Sequence, residues 1–368
     1  MLWFSQGKDH VACFHVHRQS RQRVNMAKQS GSQLIGPIAT GILVLALLHL
    51  AQAIFVPLAF ALFVIALVYP IQSALQQRLP RLIALLITLV VTLAVIVAIS
   101  SSVTWGLGKL GQWLFANAGR FQLIYANWTD WLEEHGIAIA GVLADRFDVR
   151  WLVGFTQGMA GRLNSFVGFA LLVLVFTMLG LLEVDDFNKR LNSSAAQPQG
   201  LQILLANREI GIKLRRFMIV RTFASMLTGL VVWIFALVAG LELAAAWGAI
   251  AFTLNYIPFL GPFVATVLPT LFAIAQFESW PMAVGVFVGL NLIQFVIGSY
   301  LEPLLIGTSL SISPFAVIFA VFFWSFMWGV PGAFIGVPIL IAFIVYCARH
   351  PSARWIAILA SGNAIDAS

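Results

Sequence analysis

Ionisable side chains are nearly absent from a long stretch of this chain. Between residues 222 and 348 there is no Lys, Arg, His or Asp, and the charged residues are Glu242, Glu278 and Glu302. A soluble fold of that size needs charged side chains on its solvated surface, whereas each ionised group in hydrocarbon is costly. The pattern excludes a soluble domain here and makes the three glutamates candidates for function.

Residues and motifs that enzymes and pumps require are also missing. No His lies between His135 and His350, and no metal-binding motif or phosphate-binding loop occurs. The sequence therefore predicts no enzyme, no metal site, no cofactor and no ATP engine. The two cysteines, Cys13 and Cys347, lie far apart, which excludes a disulfide framework. The net charge of +7 comes without a nucleic-acid-binding motif, so we assign it to an anionic membrane surface and predict no nucleic-acid partner.

The composition that remains is strongly apolar. Hydrophobic residues make up 61% of the chain and charged residues 10%, and the mean hydropathy is +0.95. The apolar runs are long and continuous, and within such a run in lipid a helix satisfies its own backbone hydrogen bonds. The predicted fold class is all-α: a polytopic helical membrane protein with about eight transmembrane spans of about 20 residues each.

The distribution of Lys and Arg orients these spans. Positive residues flank the first spans and are enriched in residues 183–217, and such residues favour the cytoplasmic side. We therefore expect a multi-pass protein of the bacterial inner membrane with both termini in the cytoplasm; Met26 is a second candidate start, which leaves the residues before it open. The predicted division is a basic cytoplasmic tail (1–33), three spans (34–103), an extracytoplasmic amphipathic helical insert (104–165), a fourth span (166–182), a cytoplasmic amphipathic segment (183–217), a transmembrane core with interrupted helices (218–348) and a cytoplasmic tail (349–368).

Two segments of the core, 243–275 and 313–347, are each too long for one simple crossing and contain prolines and glycines. Non-helical backbone at membrane depth survives where protein or a water-filled cavity satisfies it, and broken helices line the sites of many transporters. Each segment is either one kinked crossing or a hairpin that re-enters from its own side, and the sequence leaves both open. The predicted helix-break and gating residues are Pro258, Gly261, Pro262, Pro303, Gly329, Pro331, Gly332, Gly336 and Pro338.

Glu302 is the strongest candidate for a binding residue. It precedes Pro303 at the end of an apolar span in which Asn291 and Gln294 supply two further polar side chains. No cation lies near it in the sequence, so we interpret it as a proton- or cation-binding carboxylate rather than half of an ion pair. Arg221 could reach it from another span, but we interpret Arg221 as an anchor that extends toward the lipid headgroups.

Two further polar residues, Asn255 and Tyr256, precede the first helix break. Their amide and hydroxyl groups either bind a polar solute or form hydrogen bonds between helices. Packing seams are predicted at two pairs of glycines with small-xxx-small spacing, Gly285 with Gly289 and Gly332 with Gly336.

Several motifs follow one another in a fixed order along the chain. They are Arg221-Thr222, Ser225, Thr228-Gly229, residues 255–262 (NYIPFLGP), Asn291, residues 300–303 (YLEP), Gly307, Ser313-Pro314 and the Gly- and Pro-containing residues 328–338. In this order they resemble the autoinducer-2 exporter (AI-2E) family of bacterial membrane transporters, over residues 34–348. Gly298 and Ser299 depart from the polar pair that many relatives carry before YLEP, and this departure bears on selectivity.

The resemblance implies an exporter of small signals or metabolites that forms a homo-oligomer, and some relatives resemble sodium or lithium/proton antiporters. We therefore predict an inner-membrane secondary transporter for efflux of a small polar solute or an autoinducer-2-like quorum-sensing signal. The alternative is a monovalent cation (Na⁺ or Li⁺)/proton antiporter with the proton on Glu302, followed by a passive channel or an oligomeric scaffold. The predicted partners are membrane lipid and a small-molecule solute or monovalent cation. The predicted binding residues are Glu302, Asn291, Gln294, Asn255 and Tyr256.

Overall fold

The computed structural model describes residues 39–117, 150–306 and 312–362 and the single residues Gly36 and Gly119; for residues 150–165 and Ile306 it describes the backbone alone. The predicted tail 1–33, residues 120–149 of the predicted insert, and Gly307 lie outside the described residues. Within the described ranges the regular secondary structure is helical, with one isolated antiparallel bridge between Ile312 and Ser361. The prediction of an all-α polytopic membrane protein is confirmed.

The chain divides into two compact units, Met1–Phe55 and Val56–Ser368. The described part of the first unit consists of α1 (Ala39–Leu50) and the start of α2 (Gln52–Gln76). The second unit contains the rest of α2 and the helices α3 (Arg81–Ala116), α4 (Arg150–Leu191), α5 (Gln199–Val238), α6 (Ala244–Leu254), α7 (Leu260–Phe277), α8 (Trp280–Gln294), a π-helix (Phe295–Leu301), α9 (Glu302–Ile306), α10 (Pro314–Arg349) and α11 (Arg354–Ala360).

Seven helical stretches in the described residues are long and apolar enough to cross a bilayer. They are α2, α3, Phe166–Leu191 of α4, α5, α7, the stretch Trp280–Leu305 and α10. Several helices run past the predicted span ends: α3 continues to Ala116 rather than residue 103, and α4 extends to Leu191 rather than residue 182. Helical hydrogen bonds are made within the segment itself, so a helix need not stop where the hydrocarbon ends.

The helices α6 and α7 form an antiparallel hairpin. With 11 residues, α6 is about 16 Å long, which is too short for a hydrocarbon core of about 30 Å. At the tip, a Cβ on Gly261 would lie 1.8 Å from the carbonyl oxygen of Leu254, so this contact requires glycine. At the base, the Gln276 side chain donates to Gly240 O (2.8 Å) and accepts from the backbone N–H of Glu242 (2.8 Å).

The helix α10 is a second hairpin that folds back at Gly329, whose backbone has φ 67° and ψ −146°. A Cβ on Gly332 would lie 1.9 Å from the carbonyl oxygen of Trp324, and one on Gly336 would lie 2.9 Å from that of Ala320. These contacts pair residues progressively farther from Gly329 on both sides, as two antiparallel arms require. Both interrupted segments are therefore hairpins in this structure rather than single kinked crossings.

Of the two predicted glycine seams, one lies within the second hairpin and the other is formed only in part. Gly332 and Gly336 do form a seam, but it lies between the two arms of α10. In the other pair, Gly289 faces the ring of Phe235 at 2.3 Å from a virtual Cβ, whereas Gly285 has no atom within 4 Å of that position. Of Gly285 and Gly289, only Gly289 therefore lies at a helix contact within the described residues.

The helices α5 and α6 meet at a reciprocal glycine contact. A Cβ on Gly229 would lie 2.9 Å from the carbonyl oxygen of Gly248, and a Cβ on Gly248 would lie 2.8 Å from that of Gly229. The side chains of Phe252 and Trp233 close the same gap, each at 2.7 Å. Small residues at helix contacts let backbones approach in this way, which membrane helices use to gain packing energy.

Adding a methyl group at this contact should destabilise the fold. We expect Gly248→Ala to lower the free energy of unfolding by about 1–3 kcal/mol, the usual cost of overpacking, because the backbones must separate. The midpoint of thermal unfolding in detergent micelles measures the effect. Gly285→Ala is the control, because its Cβ meets open space and Ala favours helix over Gly. Equal midpoints for the two variants would contradict the glycine contact.

The hairpin in α10 can be tested by distances between spin labels at the exposed residues Phe315 and Phe343. In a hairpin the labels lie on neighbouring helices with axes about 10 Å apart, whereas a continuous helix would separate them by about 42 Å. The exposed pair Leu205 and Trp233 in α5 has the same sequence separation and should give the long distance. The measurement uses pulsed electron resonance with Cys13→Ser and Cys347→Ala in the background and labelled chains diluted in unlabelled ones. A long distance for the α10 pair would exclude the hairpin.

Candidate functional site

The site is built on a polar face of α5. Arg221, Ser225 and Thr228 recur at helical spacing and are buried, and Thr222 lies beside them. The helix α5 packs against α4, α6, α8, the π-helix, α9 and α10. Buried polar groups in an apolar bundle need partners, and the partners here come from several different elements.

An ion pair joins α5 to α9. Arg221 Nη1 lies 2.5 Å from Glu302 Oε1, and the side chains are 6% and 13% exposed. Two expectations are therefore wrong: Glu302 does have a cationic partner, and Arg221 is buried rather than extended toward the headgroups.

The π-helix explains why the polar residues of this span do not lie together. In a regular α-helix, residues 291 and 302 would face nearly the same direction after about three turns. The π-helical turns of Phe295–Leu301 change this phase. Asn291 is exposed and donates to Phe287 O (2.8 Å), whereas Glu302 faces α5. The structure therefore does not bring Asn291 to the cluster, while Gln294 is half-buried on the same span.

The tip of the α6–α7 hairpin reaches the same face of α5. Asn255 Nδ2 donates to Ser225 Oγ (3.2 Å), and the hydroxyls of Tyr256 and Thr222 lie 3.1 Å apart. Hydrogen bonds between helices were one of the two predicted roles of Asn255 and Tyr256, the other being solute binding. The ring of Tyr256 also lies 6.1 Å from that of Phe334 in the second arm of α10, so both hairpins contribute to this region.

The two hairpins start at opposite ends of α5. The base of α6–α7 follows directly after the end of α5, where Gln276 holds Gly240 and Glu242. The base of α10 lies at the other end, where Arg349 Nη2 donates to Glu209 Oε2 (2.7 Å) and Tyr346 donates to Asn207. The tip of the first hairpin lies beside Thr222 and Ser225 near the middle of α5, and Phe334, five residues beyond the fold-back of the second hairpin, packs against Tyr256 in that tip.

Several buried hydrogen-bond donors on α5 and the neighbouring α8 lack a partner. Arg221 Nε and Nη2 are buried and make no hydrogen bond within the described residues, and the same holds for Gln294 Nε2. A buried unpaired donor is costly and is rare in stable cores, so such groups point to water or a ligand. The three nitrogens are all donors, which favours an oxygen-rich partner.

The predicted helix-break residues occupy the two hairpins and the first turn of α9. Pro258 lies in the turn between α6 and α7, Gly261 and Pro262 begin α7, and Pro303 is in the first turn of α9. In α10, Gly329 makes the fold-back, and Pro331, Gly332, Gly336 and Pro338 follow in the second arm. Phe259, next to Pro258, has a left-handed φ of 62°, which is strained for a residue with a side chain.

The other two glutamates are placed elsewhere. Glu242 lies at the base of the first hairpin, where it accepts a hydrogen bond from the indole of Trp113, and Glu278 ends α7 with a left-handed φ of 49°. Within the described residues no three His, Cys, Asp or Glu side chains come together as a metal site requires. The site residues that sequence reasoning missed are Thr222 and Ser225, whose i, i+3 spacing on one face of α5 was the available signal.

Comparison with known proteins identifies the family of this chain. The profile described as AI-2E family transporter matches residues 38–349. The chain belongs to this family. The AI-2 transport protein TqsA of Escherichia coli is 25% identical over 334 residues, covering 90% of this chain and 96% of that protein. A putative transport protein of Borreliella burgdorferi is 30% identical over 179 residues, covering 48% of this chain and 49% of its own length. The putative transport protein YhhT of Escherichia coli is 26% identical over 198 residues, covering 54% and 56%.

These relatives establish that the AI-2E chain is a multi-pass membrane transport protein. The expectation of a transporter rather than an enzyme is confirmed, because the family and its named members are transport proteins. The family match includes both hairpins and α5, so the region that encloses Arg221 and Glu302 belongs to the shared part of the chain.

Breaking the buried ion pair should cost more than removing it. We expect Arg221→Met to lower the free energy of unfolding by about 3–5 kcal/mol, because it leaves the Glu302 carboxylate buried and uncompensated. Combining it with Glu302→Leu should recover most of the loss. Denaturant titration in detergent micelles gives the values.

The exposed pair Lys189–Asp186 provides the control for this comparison, because its side chains are 79% and 56% exposed. Lys189→Met should leave the unfolding free energy unchanged, since solvent screens that pair. If the double variant were as unstable as the single variant, the loss would come from packing and the ion-pair explanation would fail.

Proposed function

We propose that this AI-2E protein is an inner-membrane secondary transporter that exports a small polar solute, with the solute bound between the hairpin tips and α5. The proposal rests on the hydrogen bonding of Arg221. Its buried guanidinium binds Glu302 through one nitrogen, and its other two nitrogens have no hydrogen-bond partner within the described residues. Asn255, Tyr256 and Gln294 extend the polar surface. Asn291 is left out of the proposed site because it lies on an exposed face.

The donors define the chemistry of the solute. Guanidinium and amide N–H groups bind carbonyl, hydroxyl or carboxylate oxygens, and Arg presents them in a fixed fork. A small molecule with several oxygen acceptors would satisfy the nitrogens that lack partners. The relative in Escherichia coli is named an AI-2 transport protein, so autoinducer-2 is the first solute to test.

Gating is assigned to the hairpin tips. Gly329 forms one fold-back and the turn containing Pro258 forms the other, and each tip consists of residues that interrupt regular helical hydrogen bonding. Because the hairpins start from opposite ends of α5, each covers the proposed site from one side. This arrangement supports a carrier with alternating access. The homo-oligomer, the cytoplasmic termini and a role in quorum sensing stay predictions.

Cation/proton antiport is supported less well by this geometry. A carboxylate that exchanges a proton for Na⁺ or Li⁺ needs free oxygens, but Arg221 already neutralises Glu302 at 2.5 Å. A monovalent cation would have to displace a guanidinium from a buried pair, which leaves one of the two groups uncompensated.

Transport into proteoliposomes tests the proposed site. We expect saturable autoinducer-2 uptake, reduced about tenfold to a hundredfold in kcat/KM by Arg221→Lys, because Lys keeps the charge opposite Glu302 but lacks the additional donors of the guanidinium. Asn291→Ala is the matched control and should transport normally. Uptake that Arg221→Lys leaves intact, in protein that remains folded, would contradict the site.

The same proteoliposomes test the antiport alternative. An imposed pH gradient should persist when Na⁺, Li⁺ or K⁺ is added in the absence of solute, with empty liposomes as reference. Collapse of the gradient by Na⁺ or Li⁺, lost in Glu302→Gln, would replace solute export by antiport as the function.

A further inference from the structure

A second polar site lies at the end of α5 opposite to the first hairpin base. A cavity of about 350 Å³ is lined there by Leu205, Arg208, Glu209, Ile212, Lys213, Arg216 and Arg349. Six of these residues recur at three- and four-residue spacing along one face of α5, and Arg349 comes from the end of α10. We call this the basic cavity.

The basic cavity carries an excess of positive charge. Glu209 is its single carboxylate, and it is already shared by Lys213 Nζ at 2.9 Å and Arg349 Nη2 at 2.7 Å. Arg208 and Arg216 have no ion pair with any residue that the structure describes. Four cations against one carboxylate leave a formal charge of +3 in the lining.

An unpaired donor also points into this region. Arg349 Nε is buried and has no hydrogen-bond partner in the described part of the chain, although the same guanidinium binds Glu209 through Nη2. Arg208 and Arg216 are exposed and open to solvent, whereas Arg349 Nε is buried, so an anion with several oxygens would satisfy the buried donor and use the two exposed guanidinium groups as well. A phosphate group meets this requirement, because Arg binds phosphate oxygens with two parallel hydrogen bonds.

The position of the basic cavity identifies the source of the phosphate. From Phe217 to Val238 the one charged side chain of α5 is Arg221, and α10 has none before Arg349. The cavity therefore lies where the apolar parts of both helices meet their charged ends, which is the level of lipid headgroups. Its lining also includes the exposed apolar side chains of Leu205 and Ile212, at 39% and 53% exposure.

We propose that the basic cavity is a specific site for one anionic phospholipid, with the phosphate on Arg208, Arg216 and Arg349 and the acyl chains extending past Arg216 into the hydrocarbon beside the apolar part of α5. Zwitterionic lipid is disfavoured because its own cation would face the excess of positive charge. A soluble phosphate would use the same nitrogens but would gain nothing from the apolar part of α5 that begins directly after Arg216. The bound lipid would join α5 to the base of the second hairpin, which Glu209 and Arg349 already connect.

Native mass spectrometry of the full-length protein in detergent tests the site. Phosphatidylglycerol should bind in preference to phosphatidylcholine with the same acyl chains. The double variant R208Q/R216Q should weaken phosphatidylglycerol binding about thirtyfold, which corresponds to about 1 kcal/mol for each basic side chain. The readout is binding alone, so it stands independently of any transported solute.

The matched control is K189Q/R190Q, which removes the same charge from exposed residues of α4 outside the cavity. It should bind phosphatidylglycerol as the unmodified protein does. Equal retention of both lipids, or equal weakening by the two double variants, would show non-specific charge attraction and overturn the proposal. Binding of glycerol 1-phosphate as tightly as phosphatidylglycerol would overturn the assignment to lipid.

Discussion

The buried pair of Arg221 and Glu302 is the interaction on which the central part of this protein depends. Moving a guanidinium and a carboxylate out of water costs several kcal/mol each, and their mutual attraction offsets this only with good geometry and further hydrogen bonds. Here the contact is short, at 2.5 Å, but two guanidinium nitrogens keep no partner within the described residues. The surroundings therefore satisfy the pair only in part. A site that admits water or an oxygen-rich solute accounts for this better than a core selected for stability alone.

The hairpins bring further polar groups into the bundle near this ion pair. A continuous helix covers its own backbone groups and offers a ligand only side chains, whereas a chain that turns back within the bundle brings a turn and its flanking side chains to the ion pair. Asn255 and Tyr256 occupy such a turn, and their hydrogen bonds to Ser225 and Thr222 fix it against α5. Glycine makes the close return possible: Gly261 lies against Leu254, and Gly332 lies against Trp324. The break residues thus position the tips as well as ending the helices.

Much of this architecture could be predicted from the sequence, but the partners in the site could not. Composition alone indicates helices in lipid, and Pro258 and Gly329 mark where two of them are interrupted. Hydropathy cannot distinguish a kink from a hairpin, because the arms of α10 are equally apolar in both arrangements. The partner of Glu302 is 81 residues away in sequence, and only packing brings it close. Asn291 was predicted as a binding residue because it is a polar side chain in the same apolar span as Glu302, and the π-helix between the two residues changes the helical phase so that Asn291 is exposed.

Two arginines of α5, Arg216 and Arg221, lie close together along the helix but face different sites. Arg216 and Arg221 are about 7 Å apart along the helix axis but differ by about 140° around it. Arg216 therefore faces the basic cavity while Arg221 faces Glu302, although the position of Arg221 near the charged end of the helix predicted an anchor. A carrier needs a barrier on each side of its solute. In the proposed transporter the two hairpins would be these barriers, and each has its own base contacts, Gln276 for one and Arg349 with Tyr346 for the other. Neither set of base contacts involves the other hairpin, but the hairpins meet where Tyr256 packs against Phe334, so alternating access would require this contact to open.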